Sequence, residues 1–333
     1  MGPATPADPG GRAAARPFPR PRLAILGAIE EVTGELPPVS RKVPLDVQVH
    51  EEHEADGLIW RKLTFAPEAG DRVPAWLLLP RARRGAPPGA AVLALHQTTR
   101  IGKDEPVGRG GLPNLHYALE LARRGYVVLA PDYPRFGDST TNAYALGYAS
   151  ATMKGLWNHW RALELLSALP QVDAQRLGVI GHSLGAENAL FLAAFALEVA
   201  ACVASGGFTR FTWNNNEGRG EHGDVSDWSH QGYMPRIAER YGCRAERLPF
   251  DWEDLLAAIA PRPLFLNAPL SDFFQWQGVD ECVNLVTPLY VRAKARDALA
   301  VRHPPGGHDF PRAVRAEAYA FLDRHLRHAP AVG

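Results

Sequence analysis

Gly181-His182-Ser183-Leu184-Gly185 is the segment whose residue types and spacing speak most directly of chemistry. The serine lies between two glycines, after the apolar residues 177–180 and before the apolar stretch 184–197. A strand that turns sharply into a helix needs flanking residues without a Cβ. Such a turn leaves the hydroxyl at the helix head, where the N-terminal field favours developing negative charge. This is the setting of a serine nucleophile, which needs a base to take its proton. Histidine suits that task, because its ordinary pKa is about 6.5. His308 lies in the glycine-rich run Pro304-Pro305-Gly306-Gly307-His308-Asp309-Phe310, from which it can reach Ser183. His303 is the nearest rival, while His325 and His328 belong to a late helix face.

A carboxylate should orient the base, and it is expected after the preceding apolar strand, residues 264–268. Asp272 is the first candidate; Asp280 and Glu281 are the alternatives, and Asp309 beside the histidine should point elsewhere. An oxyanion needs two backbone N–H groups. One is expected from Leu184, the other from the loop His96-Gln97-Thr98-Thr99, with Thr98 preferred and Gln97 second. The His96 ring is expected to brace this loop at the border of the substrate site.

The elements that must hold these groups are legible as short apolar runs. Strands are expected at 45–49, 58–65, 74–79, 91–95, 126–130, 176–180, 199–205, 264–268 and 299–301. Helical periodicity covers 112–124, 143–169 (as one helix or two), 184–197, 278–296 and 312–326. Buried strands alternating with helices imply crossover connections and a parallel sheet covered on both faces. Residues 206–250 break the rhythm, being rich in Asn, Trp, His and Gly and too long for an ordinary connection. They read as an insertion over the sheet's C-terminal edge, where such folds bind ligands. Its aromatics Phe208, Phe211, Trp213, Trp228 and Tyr233 either pack the insertion down or line a pocket. Packing is expected for most, with Phe208, Trp213 and Trp228 as candidate substrate-lining residues.

The chain has 333 residues, 46% of them hydrophobic and 22% charged, values of a globular protein with a large core. Thirty-six basic residues balance 36 acidic ones, which favours neither a nucleic-acid nor an anionic-membrane partner. Three cysteines, Cys202, Cys243 and Cys282, are too scattered for a disulfide framework or a CxxC metal site. Residues 1–22 hold six prolines, three glycines and four arginines against one acid, and read as a disordered leader before a single domain at 23–330. No apolar stretch there has the length of a secretory signal, so a cytoplasmic protein is expected.

These residues in this order resemble the α/β-hydrolase superfamily, and within it the dienelactone-hydrolase-like and acetyl-xylan-esterase-like serine hydrolases. The carrying segments are 95–98, 125–133 with Gly137, 178–185, 260–265 and 307–311, so the resemblance covers residues 90–326. It implies an eight-stranded, mostly parallel sheet and ester hydrolysis through an acyl-enzyme, with no metal or organic cofactor. Dienelactone hydrolase proper is shorter and uses cysteine where this chain has Ser183, so its substrate is not carried over. A glucuronoyl esterase would carry arginine after the serine, and Leu184 argues against one. A propeller-bearing peptidase would need more chain.

The remaining clusters carry less. His50-Glu51-Glu52-His53 is not a metal-binding H-E-x-x-H and lies in strand-like sequence. Glu221, His222, Asp224, Asp227 and His230 could gather round a metal, but loops collect such residues by composition. Glu187, one turn past the serine in an apolar helix, is either partly exposed or a buried, hydrogen-bonded acid. The expected activity is a serine carboxylesterase acting on a small or medium ester, acylated carbohydrates among the candidates. Amide hydrolysis or acyl transfer would use the same groups, and a silent hydrolase-fold binding protein would keep the fold alone.

Overall fold

The computed structural model describes residues 18–81 and 87–330. In chain order, α1 (Arg22–Thr33) precedes three strands, β1 (Gln48–Ala55), β2 (Leu58–Phe65) and β3 (Val73–Pro80). Then β4 (Gly89–Leu95), α2 (Tyr117–Arg123) and β5 (Val127–Pro131) lead to α3 (Ala151–Ser167). The second half runs β6 (Val172–His182), α4 (Leu184–Phe195) and β7 (Val199–Ser205), followed by α5 (Arg236–Tyr241) and α6 (Trp252–Ile259). It closes with β8 (Leu264–Asn267), α7 (Trp276–Arg292), β9 (Leu299–Arg302) and α8 (Arg312–His325).

The strands form one sheet in the order β1-β2-β3-β5-β4-β6-β7-β8-β9. Pairing is antiparallel from β1 through β3 to β5 and parallel from β5 to β9. The expected mostly parallel sheet with helices on both faces is what forms, but it has nine strands rather than eight. The extra strand is β1. An apolar run at 45–49 suggested a strand there, whereas the strand begins at Gln48 and, past Val49, runs through six polar or small residues, His50 to Ala55. Every residue of β1 is exposed, so it leaves no hydrophobic imprint on the sequence.

The central strands are buried on both faces, as their unbroken apolar runs require. Apolar clusters fill the two faces. α4 is buried throughout. α1 was not expected; it docks through Ile25, Ala28, Ile29 and Val32, and Arg20 just before it pairs with Asp254 at 2.7 Å. The last residues of the expected leader are therefore anchored, while residues 1–17 lie outside the described ones. The arginine cluster at 81–84, whose composition suits a solvated loop between strands, falls mostly outside them too. No described helix is long and apolar enough to cross a membrane.

Buried ion pairs fix the loops at the sheet's C-terminal edge. Lys103 and Asp132 are fully buried, with Lys103 Nζ 2.8 Å from Asp132 Oδ2 and 2.7 Å from Asp138 Oδ2. Asp132 also accepts from the backbone N–H groups of Lys103 and Asp138. Gly102 and Gly137 stand so close that a Cβ on either would lie about 2 Å from the Asp132 carboxylate. Lys103→Met would leave that carboxylate buried without its cation. The expected cost is about 3–5 kcal/mol, read from urea unfolding. A loss below 1 kcal/mol would mean that the backbone donors alone satisfy Asp132.

Candidate active site

β6 delivers Ser183 to the head of α4. Its backbone is strained, with φ 54° and ψ −123°, and the Ser183 N–H is held by the carbonyl of Ser205 on β7 at 2.8 Å. The turn is as tight as its glycines suggest. A Cβ on Gly181 would sit 2.2 Å from the Gly185 backbone, and one on Gly185 would sit 1.9 Å from the Leu95 carbonyl oxygen. The nucleophile turn thus presses on the end of β4, from which the His96–Thr98 loop departs.

His308 and Asp272 come together from the loops after β9 and β8. The Nδ1 of His308 is 3.0 Å from each carboxylate oxygen of Asp272. Asp272 Oδ1 also accepts from the Phe274 N–H at 3.1 Å. A Cβ on Gly206 (φ +56°) would meet Asp272 Oδ2 at 3.0 Å and His308 Nδ1 at 3.1 Å, so the chain needs glycine there. The other carboxylates weighed for this place are engaged elsewhere. Asp280 meets His303, Glu281 meets Arg210, and Asp309 accepts from Asn114. His303, the rival base, is tied to the Ala268 carbonyl and to Asp280.

Ser183, Leu184, His308, Gln97 and Thr98 line one cleft of about 410 Å³. His96 does not border it: the ring is buried. Its Nδ1 donates to the Gln97 carbonyl and its Nε2 accepts from the Tyr133 N–H at 3.0 Å, which makes it the neutral Nδ1–H tautomer. Burial lowers its pKa accordingly. It braces the loop, as expected, and does not touch ligand space.

Of the aromatics expected to line the site, only Trp228 does so. Phe208 is buried and stacked on Trp252 with ring centroids 5.0 Å apart. Trp213 meets His222 edge-on, away from the cleft. Phe208 thereby joins the layer in which Phe211, Phe250 and Trp252 pack the insertion against Phe191 of α4. The acidic and histidine residues of the insertion disperse: Asp227 and His230 line the cleft, whereas Glu221 and His222 are exposed. Burial raises the Asp227 pKa to about 6 and lowers that of His230.

Sequence reasoning missed Phe273 and Phe274, which follow Asp272 and form a wall beside His308, the Phe273 ring 4.4 Å from the imidazole. It also missed the role of Tyr233, whose hydroxyl is 2.7 Å from Thr98 Oγ1 and so links the insertion to the His96–Thr98 loop. No spacing rule announces contacts made by irregular loops. Behind His308 lies His182, fully buried, its ring 4.5 Å away and its Nδ1 3.0 Å from Ser205 Oγ. Burial holds it far below its ordinary pKa, and so neutral.

The fold that brings Ser183 and the Asp272-paired His308 to one cleft has clear counterparts among solved structures. The glucuronoyl esterase from Solibacter usitatus superposes with a TM-score of 0.70 at 17% identity, covering 91% of this chain and 92% of that one. The chain has the α/β-hydrolase fold. Acetyl xylan esterase 1 from Thermoanaerobacterium sp. shares the hydrolase fold with a TM-score of 0.61 at 16% identity, covering 92% of each chain. YtaP of Bacillus subtilis strain 168, a hydrolase by name, is 25% identical over 307 residues, 88% of this chain and 96% of its own length. The sequence model of the family described as glucuronyl esterase, fungi, matches residues 142–291, less than half of this chain. That segment contains the Gly181–Gly185 turn with Leu184, the residue on which the sequence argued against a glucuronoyl esterase.

Proposed function

We propose that this α/β-hydrolase cleaves a carboxylic ester of a carbohydrate through an acyl-enzyme on Ser183. The observation that carries the reading is the pairing of His308 Nδ1 with both oxygens of Asp272 in the cleft that Ser183 lines. An imidazole held by Nδ1 turns Nε2 towards the cleft as an acceptor, the state a general base needs. In this mechanism His308 takes the Ser183 proton as the hydroxyl oxygen attacks the ester carbonyl. The N–H groups of Leu184 and of Thr98 or Gln97 hold the oxyanion. The protonated His308 returns its proton to the departing alcohol, and water, activated by the same base, releases the acid. Asp272 stabilises the imidazolium and stays ionised.

The carbohydrate assignment rests on the cleft's chemistry. Its walls combine Trp228, Phe273 and Phe274 with the polar groups of Glu187, Asp227, His230 and Tyr233. Flat apolar faces with convergent hydrogen-bonding groups suit a sugar ring better than an alkyl chain. The names of the solved counterparts, glucuronoyl esterase and acetyl xylan esterase, support the same class.

Intact-mass labelling with a fluorophosphonate tests the nucleophile. Wild type should gain one adduct and Ser183→Ala none, and the variant's ester turnover should fall about 10⁴-fold or more. Turnover of p-nitrophenyl acetate by pure Ser183→Ala at the wild-type rate would sink the assignment.

A further inference from the structure

Three neighbouring parallel strands end in a polar residue after an apolar run: β6 in His182, β7 in Ser205 and β8 in Asn267. They lie in register, His182 beside Ser205 and Ser205 beside Asn267, so their side chains form one row across the sheet's C-terminal edge. His182 and Ser205 are fully buried and Asn267 is 2% exposed. Burying polar groups side by side is costly unless they satisfy one another.

The protons of this row can be placed from its outer end. Asn267 Nδ2 lies 3.0 Å from the backbone carbonyl oxygen of Asp309, the residue after His308. A carbonyl only accepts, so the amide must turn its NH₂ group that way and not its oxygen. The second hydrogen of the same NH₂ goes to Ser205 Oγ at 2.8 Å. Ser205, accepting there, gives its own hydrogen to His182 Nδ1 at 3.0 Å. The His182 proton then sits on Nε2 and the ring is neutral, in keeping with its burial. Placing it on Nδ1 instead would leave the serine hydrogen idle as well as Nε2, which has no partner among the described residues. Asn267 Oδ1 is likewise buried and unmatched. Only the two N–H groups of Asn267 set it apart, at this place, from a leucine of similar size.

What those N–H groups hold is the base. His308 follows Gly306 and Gly307, and Gly306 takes φ +110° with open space beside it, so no side chain stiffens the approach. Asp272 ties the imidazole at one atom, Nδ1, about which the ring can still swing. Asn267 pins the next carbonyl after the base to the end of β8. At the other end of the row, His182 immediately precedes Ser183, and its ring lies 4.5 Å from that of His308. Ser205 holds the Ser183 N–H through its own carbonyl. The row therefore runs beneath both reacting side chains.

We infer that Asn267 is a positioning residue: through Ser205 and His182 it sets the backbone of the His308 loop against the Ser183 turn. The inference rests on the acyl-enzyme reading and deepens it. Misplacing a reacting group by about 1 Å can cost about 100-fold in rate.

Turnover of p-nitrophenyl acetate is compared for wild type, Asn267→Leu, Ser205→Ala and the double variant. Rates are expressed per site that carries a fluorophosphonate adduct at the end point, which removes any unfolded fraction. Asn267→Leu should lower kcat about 10- to 100-fold with KM within about twofold, because His308 serves acylation and deacylation alike. Ser205→Ala keeps the bond to Asp309 and should lose less, about 3- to 10-fold. The double variant should be no slower than Asn267→Leu, since one chain is broken only once. The downfield proton resonance of His308 Nδ1–H, shared with Asp272, should broaden in Asn267→Leu. It should stay sharp in Asn114→Ala, whose amide holds the Asp309 side chain instead. Wild-type kcat in Asn267→Leu, a KM that climbs as kcat falls, losses that multiply in the double variant, or equal broadening in Asn114→Ala would overturn the inference. If Asn267→Leu yields no labelled protein, Ser205→Ala decides: the stated loss at level KM supports the row, and wild-type kcat overturns it. A wild type that takes no adduct would instead sink the esterase reading itself.

Discussion

Asp272→Asn is expected to lower kcat about 10⁴-fold while the protein remains folded. The carboxylate accepts from His308 Nδ1 through both oxygens at 3.0 Å, and so fixes the tautomer in which Nε2 is free to take a proton. An asparagine amide can present its NH₂ group to Nδ1, which then becomes the acceptor and places the proton on the nitrogen that should act as base. The size of the side chain is unchanged and its oxygen can still accept from the Phe274 N–H, so thermal unfolding should shift little. The check is a kcat measurement on p-nitrophenyl acetate beside a melting curve. Asp280→Asn, whose side chain meets His303 instead, is the parallel control. A loss of less than tenfold in Asp272→Asn, with a large loss in Asp280→Asn, would move the acid to the downstream position.

Gly185→Ala should be the most damaging methyl group that can be added near the site. The new Cβ would lie 1.9 Å from the Leu95 oxygen, 2.6 Å from its carbon and 2.9 Å from the His96 oxygen. All three are backbone atoms of β4 and its exit, paired with β6 on one side and β5 on the other, so no side-chain rotation relieves the clash. Either α4 lifts from the sheet or the His96–Thr98 loop shifts. The expected loss is about 4 kcal/mol or more of stability, or failure to fold. Any soluble fraction should also show slow fluorophosphonate labelling, because Ser183 and the loop move together. A variant with wild-type stability and labelling would show that the contact between α4 and β4 is softer than the close packing described.

The residues that were legible are those whose chemistry forces their surroundings. The Gly181–Gly185 turn could be read because its glycines are sterically required, and β4, β5 and β7 because strands buried on both faces are apolar without interruption. β1 was misplaced for the opposite reason, since a strand exposed throughout satisfies no pattern of burial. α1 was hidden by the prolines before it and by Gly27, and it owes its place to packing. α6 did carry a signal: Asp251 and Asp254 form a reciprocal capping box at its start, three residues apart, just before an apolar stretch. The cleft walls were least legible. Tyr233, Asp227 and Phe273 reach it from irregular segments whose course is set by the aromatic layer beneath the insertion. Glu187 was left between an exposed and a buried place, and the structure buries it but leaves one oxygen unmatched.

Among the described residues β1 gives the molecule an open flank, since its outer backbone edge has no neighbour in the sheet. Such an edge invites a second copy to add strand to strand, some 4.8 Å away. Glu51, Glu52 and Glu54 stand along it, Glu52 paired with Arg61 and Glu54 near Arg81, so two copies meeting there would bring the carboxylates, Glu51 above all, face to face. That repulsion is strong where the screening length is about 10 Å, near 0.1 M salt, and weak where it is about 3 Å, near 1 M. Salt, rather than heat, is therefore the agent that would set self-association in motion from this side.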